Sequence, residues 1–353
     1  MTILDLAHSV GSEAGDYTPP PMVPGRVLYM DADSMVYDCA RLDESFEDNL
    51  QYLVPYIQQW RVRAGAEHIE CHLTMGNKGN RDKIATLLEY QANRKGKDRE
   101  LHERVTELKQ WLVSYSHPRL TVIGWGHQEA DDGVTQAMYS ASFSPKAVLF
   151  SRDKDLWMVP GLHLGKDKPW EIEEFPNGYG SCWMYDTKLK GKGHSWFWHQ
   201  VLMGDRVDNI PGLPALAVEL QRPTVVEERL RHEIKFKASQ KTNRPLTQEA
   251  WLTRQAKLKE VLAARKPKRL GPKTAYEYLY GCSTNKQAFI KVKKAYEAYY
   301  GTKPFPLVDW RGEQVIKTAG DMLLEQARLL WMRREKDEDV LVFFDQIAKG
   351  EIK

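Results

Sequence analysis

The stretch that most constrains this chain is Gly126-His127-Gln128-Glu129-Ala130-Asp131-Asp132-Gly133, between the apolar run Leu120–Trp125 and the helix-forming Val134-Thr135-Gln136-Ala137-Met138-Tyr139. With a strand before it and a helix from Glu129 onward, Glu129 and Asp132 share one face at i, i+3, and Asp131 lies about a hundred degrees round. Three carboxylates then converge on one small volume. They repel one another, and their pKa values rise unless a cation sits among the oxygens; Mg2+ and Mn2+ are the hard cations that suit such donors. Acids also favour a first helical turn as caps and as partners of the dipole, so this stretch alone leaves both readings open.

The pattern recurs. Val27-Leu28-Tyr29-Met30 is a strand candidate that ends on Asp31-Ala32-Asp33-Ser34, with a helical pattern from Met35 towards Ala40. After a helix over about Gln51–Arg63, Ile69–Met75 reads as a second strand, and its end at Gly76–Arg81 carries no acid. Leu120–Trp125 is the third, and Lys146–Phe150, the fourth, runs directly into Ser151-Arg152-Asp153-Lys154-Asp155. Strands alternating with helices predict an α/β fold with a mainly parallel, doubly wound sheet, whose ligand sites lie outside the carboxyl ends of the strands. That rule gathers Asp31, Glu129, Asp131, Asp132, Asp153 and Asp155 at one edge. Further on, a buried helix over Trp196–Met203 leads into Gly204-Asp205-Arg206-Val207-Asp208-Asn209-Ile210-Pro211-Gly212, where Asp205 and Asp208 repeat the i, i+3 spacing and would supply the far side of a second metal position.

A chain of 353 residues with 42% apolar content can bury a sizeable core. Its net charge of +3 averages an acid-rich middle against strongly basic segments, which admits polyanionic partners. Cys39, Cys71, Cys182 and Cys282 are widely spaced, without a C-x-x-C pair or a secretory signal ahead of them, and read as reduced thiols in a cytoplasmic protein. No apolar stretch is long enough for a membrane span.

Residues 1–26, with Pro19-Pro20-Pro21, read as a flexible or extended lead-in. Arg81–Lys109 is helix-forming and basic on balance, and 161–195 reads as irregular structure or a hairpin. Ala215–Arg269 carries fourteen Lys or Arg against six Asp or Glu, a balance of +8, and is expected to be helical from about Thr247 to Ala264. After it, Leu270-Gly271-Pro272-Lys273-Thr274-Ala275 suits a tight turn whose N-H groups open a helix towards an anion. Residues 283–353 look largely helical and carry no motif.

Eight carboxylates at the ends of separate elements, beside basic segments and without a Walker loop or G-x-G-x-x-G, point to metal-assisted phosphoryl chemistry on a polyanion. Hydrolysis of a phosphodiester at a pair of ions is the natural reaction. His194 and His199 are too isolated to argue for zinc.

Taken together, Met30-Asp31-Ala32-Asp33, Tyr90-Gln91-Ala92-Asn93-Arg94, Glu129-Ala130-Asp131-Asp132, Asp153-Lys154-Asp155 and Gly204-Asp205 through Asp208–Gly212 resemble the 5′-nuclease family of flap endonucleases and 5′ to 3′ exonucleases, especially its bacteriophage members. The resemblance covers about residues 27–282. It implies a nuclease domain over 27–200 with a helical arch near 78–110, a helix-hairpin-helix DNA-binding region over 201–282 interrupted by the insertion 215–269, and a C-terminal helical region over 283–353. It implies an enzyme that needs two Mg2+ or Mn2+ ions and acts on duplex DNA at 5′ ends, nicks or flaps. Asp31, Glu129 and Asp131 would then serve the first ion, with Asp132 binding it or supporting it through water, and Asp153, Asp155, Asp205 and Asp208 would surround the second. Tyr90, Arg94 and Lys95 would sit in the arch that receives the displaced strand. Gly204–Gly212 and Leu270–Ala275 resemble the two halves of the family's hairpin element, so Gly212, Gly271, Lys273 and Thr274 would meet the phosphate backbone, with K+ as a further ion. Such contacts position DNA without reading its sequence. The same resemblance places the protein in phage replication, recombination or genome breakdown, in a host cytoplasm and beside replication proteins; a monomer is expected, since no long exposed heptad pattern occurs.

Three departures stand out. Family members usually carry an acid where this chain has Asn77 and a Lys where it has Gln91, and Asp33 or Asp82 and Lys83, Arg94 or Lys95 are the neighbours expected to compensate. The third is the insertion 215–269, either a solvated excursion or an added clamp on the duplex. The first two motivate a second reading, a structure-selective DNA-binding protein whose catalysis is weak or lost. A third reading is a ribonuclease of the acid-cluster kind found in small PIN-like domains; Asp208–Gly212 and Gly271–Ala275 favour duplex DNA over it.

Overall fold

A computed structural model describes residues 19–94, 98–165, 171–238 and 247–352. At its centre is β1 (Val23–Asp31), flanked in parallel by β2 (Ala66–Thr74) on one side and β4 (Ala147–Phe150) on the other. β3 (Leu120–Trp125) pairs in parallel with β2, and β5 (Gly161–Leu164) with β4; β6 (Ile172–Phe175) closes the sheet antiparallel to β5, giving the order β3-β2-β1-β4-β5-β6. The expected α/β sheet therefore forms. Its first four strands lie where the sequence predicts them, except that β1 starts at Val23, inside the expected lead-in. Residues 1–18 of that lead-in lie outside the described residues.

Successive residues of β1 face opposite sides, as strand geometry requires. Leu28 and Met30 join Met35 and Val36 of α1 (Asp33–Cys39), Leu53 and Ile57 of α2 (Phe46–Arg63), and Leu108 and Leu112 of α4 (Arg99–Ser114) in one core. Tyr29 faces the other side, against a core that includes Val134 and Met138 of α5 (Ala130–Ser140). Both faces are covered, which a parallel sheet needs.

The helix-forming run Arg81–Lys109 is not one helix. It divides into the single turn α3 (Arg81–Ile84), a 3₁₀ turn at Ala92–Arg94, and α4. Two side chains from elsewhere hold the link in non-helical form: Glu325 accepts the N-H groups of Thr86 and Leu87 at 2.8 and 3.3 Å, and Gln91, at φ +54°, gives its own N-H to the Asp208 carbonyl at 2.9 Å. Tertiary partners here outweigh local propensity. The segment expected to be irregular or a hairpin supplies β5 and β6 of the main sheet and a separate hairpin, β7 (Ser181–Tyr185) and β8 (Lys188–Lys192).

α6 (His194–Met203) is buried along almost its whole length. The insertion leaves and re-enters through a two-residue ladder, β9 (Ala215–Leu216) against β10 (Lys268–Arg269), and holds α7 (Val225–Ala238) and α8 (Gln248–Ala263). After it come α9 (Pro272–Leu279), α10 (Asn285–Tyr300), the hairpin β11 (Phe305–Val308) and β12 (Gln314–Lys317), α11 (Ala319–Leu330) and α12 (Val340–Lys349). The C-terminal elements pack on α6 through aromatic rings: Phe343 stacks on Trp331 at 4.5 Å and meets Phe197 and Trp198 at 5.9 Å each. Among the described residues no helix is long and apolar enough to cross a membrane.

Phe343 is fully buried, so Phe343→Ala should lower unfolding free energy by about 3–5 kcal/mol. Urea denaturation checks this, and a loss under about 1 kcal/mol would mean that the C-terminal region is not part of the core.

Candidate metal centre

β1 and β4 are neighbours, so the chain that leaves each strand at its carboxyl end enters the same crevice, where the strand order switches direction. Asp31 ends β1 and is 6% exposed; one of its oxygens accepts the Asp33 N-H at 3.1 Å and the other the Ser151 hydroxyl at 3.0 Å. Ser151 in turn accepts the Asp153 N-H at 2.9 Å, and Asp153 accepts the Asp155 N-H at 2.8 Å. This chain of turns after β4 fixes two acids, Asp153 and Asp155, relative to Asp31 at the end of β1.

The third contributor is α5. Its Gly133 lies so close to the sheet that an added Cβ would come within 2.1 Å of the Trp125 indole nitrogen and 2.7 Å of His72. Only a residue without a side chain permits that approach. The Ala130 N-H, donated to the Thr74 hydroxyl at 2.9 Å, ties the start of the helix to the end of β2. Glu129 and Asp131 thereby reach the cavity.

That cavity has a volume of about 380 Å³ and is lined by Asp31, Asp33, Glu129, Asp131, Asp153 and Asp208, with Gln91 and Arg94 among the groups facing them. Burial, followed by the charges of Asp33 and Asp153, pushes the Asp31 carboxyl up to about 7. Burial and then Asp31, Asp153 and Glu129 raise Asp131 well above the usual carboxylate range. Asp208 is shared with a second group: Asp155, Asp205 and Asp208 bring carboxylate oxygens within 4.8 Å of one another, and all three residues are buried. Burial and Asp153 raise Asp155, although Lys154 acts in the opposite sense. Lys154 is ion-paired with Asp205, Arg94 with Asp208, and Gln200 donates to Asp155 at 2.5 Å. An all-carboxylate set of this kind suits a hard divalent cation better than zinc.

The loop that carries Asp205 and Asp208 is pinched shut. Asp205 and Ile210 exchange backbone hydrogen bonds at 2.8 and 2.7 Å, and Gly204 (φ +71°) and Gly212 (φ +65°) lie back to back, so that a Cβ on Gly212 would be 2.3 Å from the Gly204 nitrogen.

Asp132 is placed differently from the expectation. It is fully buried away from the cavity lining, and both its oxygens accept Arg81 at 3.0 Å; one also accepts the Arg333 N-H at 3.0 Å. Arg81 donates at 2.6 Å to Glu129 as well, and at 3.1 Å to the Trp331 carbonyl. Burial works against the charge of Arg81, yet Asp132 and Glu129 hold its pKa well above the ordinary value. The i, i+3 face of Glu129 and Asp132 is thus bridged by a guanidinium, and Asp131, round the helix, is the one that meets Asp31 and Asp153. Arg81 had no motif around it and was not among the expected site residues.

Other expected residues divide as follows. Tyr90 is buried, not displayed on an arch, and its hydroxyl lies 3.1 Å from Glu129. Gln91 donates to Asp208 at 2.9 Å and to Glu129 at 3.3 Å, and its carbonyl oxygen accepts the Lys78 ammonium. Positive charge beside Gln91 therefore comes from Lys78, which was not among the expected compensators, and from Arg94, which was and which shares an Asp208 oxygen with Gln91. Arg94 does line the cavity, and so does Asp33, which accepts the Thr74 N-H at 3.0 Å and pairs with Lys109 at 2.7 Å. Asp82 and Lys83 are exposed on α3 and do not line it. Asn77 turns into its own loop and exchanges hydrogen bonds with Asn80 at 3.2 and 3.0 Å. Lys95 lies outside the described residues. The Gly212 N-H, expected to meet phosphate, is donated to Gln326 at 3.0 Å, because α11 packs behind that loop. Lys273 is exposed, Gly271 half-buried and Thr274 buried at the start of α9, and Leu270 N-H to Pro214 carbonyl at 3.2 Å joins this turn to the segment just after Gly212.

No family model matches the chain, and no curated protein matches it. Among solved structures it is similar to the T5 D15 protein co-crystallised with metal ions, at 14% identity and a TM-score of 0.39 over 77% of this chain and 92% of that one. It is similar also to the bacteriophage T5 D15 flap endonuclease in a pseudo-enzyme-product complex with DNA and metal ions, at 15% identity and a TM-score of 0.40 over 86% and 98% of the two chains. A third is T5 5′-exonuclease with divalent zinc bound, at 13% identity and a TM-score of 0.40 over 77% and 99%. These overlaps stay below a TM-score of 0.5, and the functional reading rests on the side chains just described.

Two outcomes are expected of this geometry. Arg81→Met removes the paired cation of the fully buried Asp132 and should cost about 3–5 kcal/mol in urea unfolding, whereas adding Asp132→Leu should restore part of it; equal losses in both variants would remove the bridging role. Asp31 has a folded pKa of about 7, above the ~3.9 of an unfolded Asp, so the folded state binds its proton more tightly. Its contribution is most favourable below the unfolded value and is lost as pH rises through 7. Without divalent ions, the fall in melting temperature between pH 5 and pH 8 should be smaller for Asp31→Asn than for wild type; an unchanged fall would contradict the assignment.

Proposed function

We propose that this chain is a divalent-metal-dependent nuclease that hydrolyses phosphodiester bonds of DNA near 5′ ends, nicks or flaps, with two ions held by its carboxylates. The observation that carries the reading is the meeting of Asp155, Asp205 and Asp208 within 4.8 Å, with Asp208 shared by a cavity in which Asp31, Asp131, Glu129 and Asp153 converge. Mg2+ or Mn2+ fits these hard oxygen donors. When bound, such ions lower the pKa of coordinated water and offset charge on the attacking and leaving oxygens.

In this reading Asp31, Glu129 and Asp131 hold one ion and Asp153, Asp155, Asp205 and Asp208 the other. Ser151 orients Asp31 through its hydroxyl, and Tyr90 and Arg81 fix Glu129. Asp132 serves by holding Arg81. Arg94 at the cavity wall, and Lys78 through Gln91, bring positive charge to where a phosphate would meet the acids. Lys273 and the turn at Gly271–Thr274, joined to the Gly204–Gly212 loop, form the duplex-binding side, with K+ as an ion of that hairpin.

The test is incubation of a 5′-labelled nicked or flapped duplex, and an RNA of equal sequence, with and without Mg2+ or Mn2+. Ion-dependent DNA cleavage is expected, and Asp131→Asn and Asp155→Asn should each lower it at least about 100-fold while duplex binding persists. Binding without cleavage in wild type would point instead to a structure-selective DNA-binding protein, and preference for RNA to a ribonuclease.

A further inference from the structure

A second cavity, of about 510 Å³, lies between the root of the insertion and α9–α10 and shares no lining residue with the acid cavity. Five of its lining side chains are cations, Arg222, Arg265, Lys266, Lys268 and Lys291, against the one carboxylate of Glu277. The five are not equivalent. Lys268 pairs with Glu277 at 2.9 Å, and Arg265 is committed to Glu227 at 3.0 Å and to Gln221 and the Arg222 carbonyl at 3.0 and 3.1 Å. These two build the cleft.

The other three meet no carboxylate among the described residues. Lys291 gives two of its three N-H donors to the carbonyls of Tyr278 and Tyr280, at 3.0 and 3.3 Å, which fixes its position and leaves one donor over. Arg222 is exposed, with its guanidinium carbon 4.9 Å from the centre of the Tyr280 ring, and Tyr280 is itself 61% exposed. An arginine resting on an exposed aromatic face is held extended without losing its donors. Lys266 is exposed beside them, while its carbonyl is tied to Gln221 at 2.9 Å.

We propose that this cleft extends the duplex-binding side at Gly271–Thr274, whose Thr274 also lines it, and that Arg222, Lys266 and Lys291 hold the nucleic-acid backbone there, apart from the acid cavity. The inference rests on the nucleic-acid reading of that cavity. It makes the insertion a wall of the binding surface. Cations lining an open cleft of this size, with Lys291 held by two carbonyls and Arg222 resting on Tyr280, suit phosphates of one strand, and contacts of this kind are insensitive to base identity and sensitive to salt.

The test is anisotropy of a fluorescein-labelled nicked duplex without divalent ions over a series of salt concentrations. The double variant Arg222→Ala/Lys266→Ala should show a log K against log salt slope shallower by about 2, and the charge-preserving Arg222→Lys/Lys266→Arg should keep the wild-type slope. With Mg2+, the alanine variant should raise KM for the same duplex and leave kcat unchanged. If the wild type cuts DNA and the slope does not change in the alanine variant, the cleft is overturned and the nuclease reading stands. If the slope falls while the wild type cuts nothing, the cleft stands and the nuclease reading fails. An unchanged duplex slope with loss of binding to an acidic peptide or to phosphatidylserine vesicles assigns the cleft to that partner and overturns the proposal.

Discussion

Carboxylates that must lie together out of water are the constraint that the rest of this fold answers. Ionised groups without partners cost several kcal/mol each in a protein interior, so the cluster exists only because cations and donors are built around it. Arg81 serves Asp132 and Glu129, Lys154 serves Asp205, Arg94 serves Asp208, and Lys109 serves Asp33. The pair with Asp132 is buried and works as structure, while Glu129 also lines the cavity. Those at Asp205, Asp208 and Asp33 lie against or near the cavity, where they temper repulsion without removing the raised affinity of Asp31, Asp131 and Asp155 for a positive charge.

This arrangement explains why the C-terminal region belongs to the site although it contributes no acid to it. The Trp331 carbonyl and the Arg333 N-H complete the shell around Arg81 and Asp132, Gln326 takes the N-H of Gly212, and Glu325 pins Thr86 and Leu87. Each contact is to backbone or to a partner already named. α11 is in turn held against α6 by the ring stack of Phe343, Trp331 and Phe197, so apolar packing sets the position of polar groups that sit over a hundred residues away in the chain.

What could be seen in the sequence was what period and position encode. Strand alternation ended on acids at Asp31 and Asp153, and the sheet rule brought those ends together without any knowledge of side-chain contacts. Asp132 differs from the expectation for a physical reason: i, i+3 spacing describes two carboxylates sharing an arginine as well as two sharing an ion. Arg81, about fifty residues earlier, gives no local sign of which applies. The run through Tyr90 looked helical and solvated because its burial comes from Glu129, Asp208 and Glu325, none of them nearby in sequence. A single lysine such as Lys78 in a Gly-Asn loop resembles ordinary surface, and residues 283–353 carry no motif because they contribute through main-chain atoms, apolar packing and the isolated side chains of Glu325 and Gln326.

β9 and β10 pair over only two residues each, Ala215 with Arg269 and Leu216 with Lys268, so the excursion between them starts and finishes at adjacent points on the body. Closing a loop whose ends are already held side by side becomes harder only slowly with length, by about 0.6 kcal/mol for each doubling. A change in the length of the branch therefore leaves the strand ends that carry the carboxylates where they are, so reach across the surface and the geometry of the acid cluster are set by separable parts of one polypeptide.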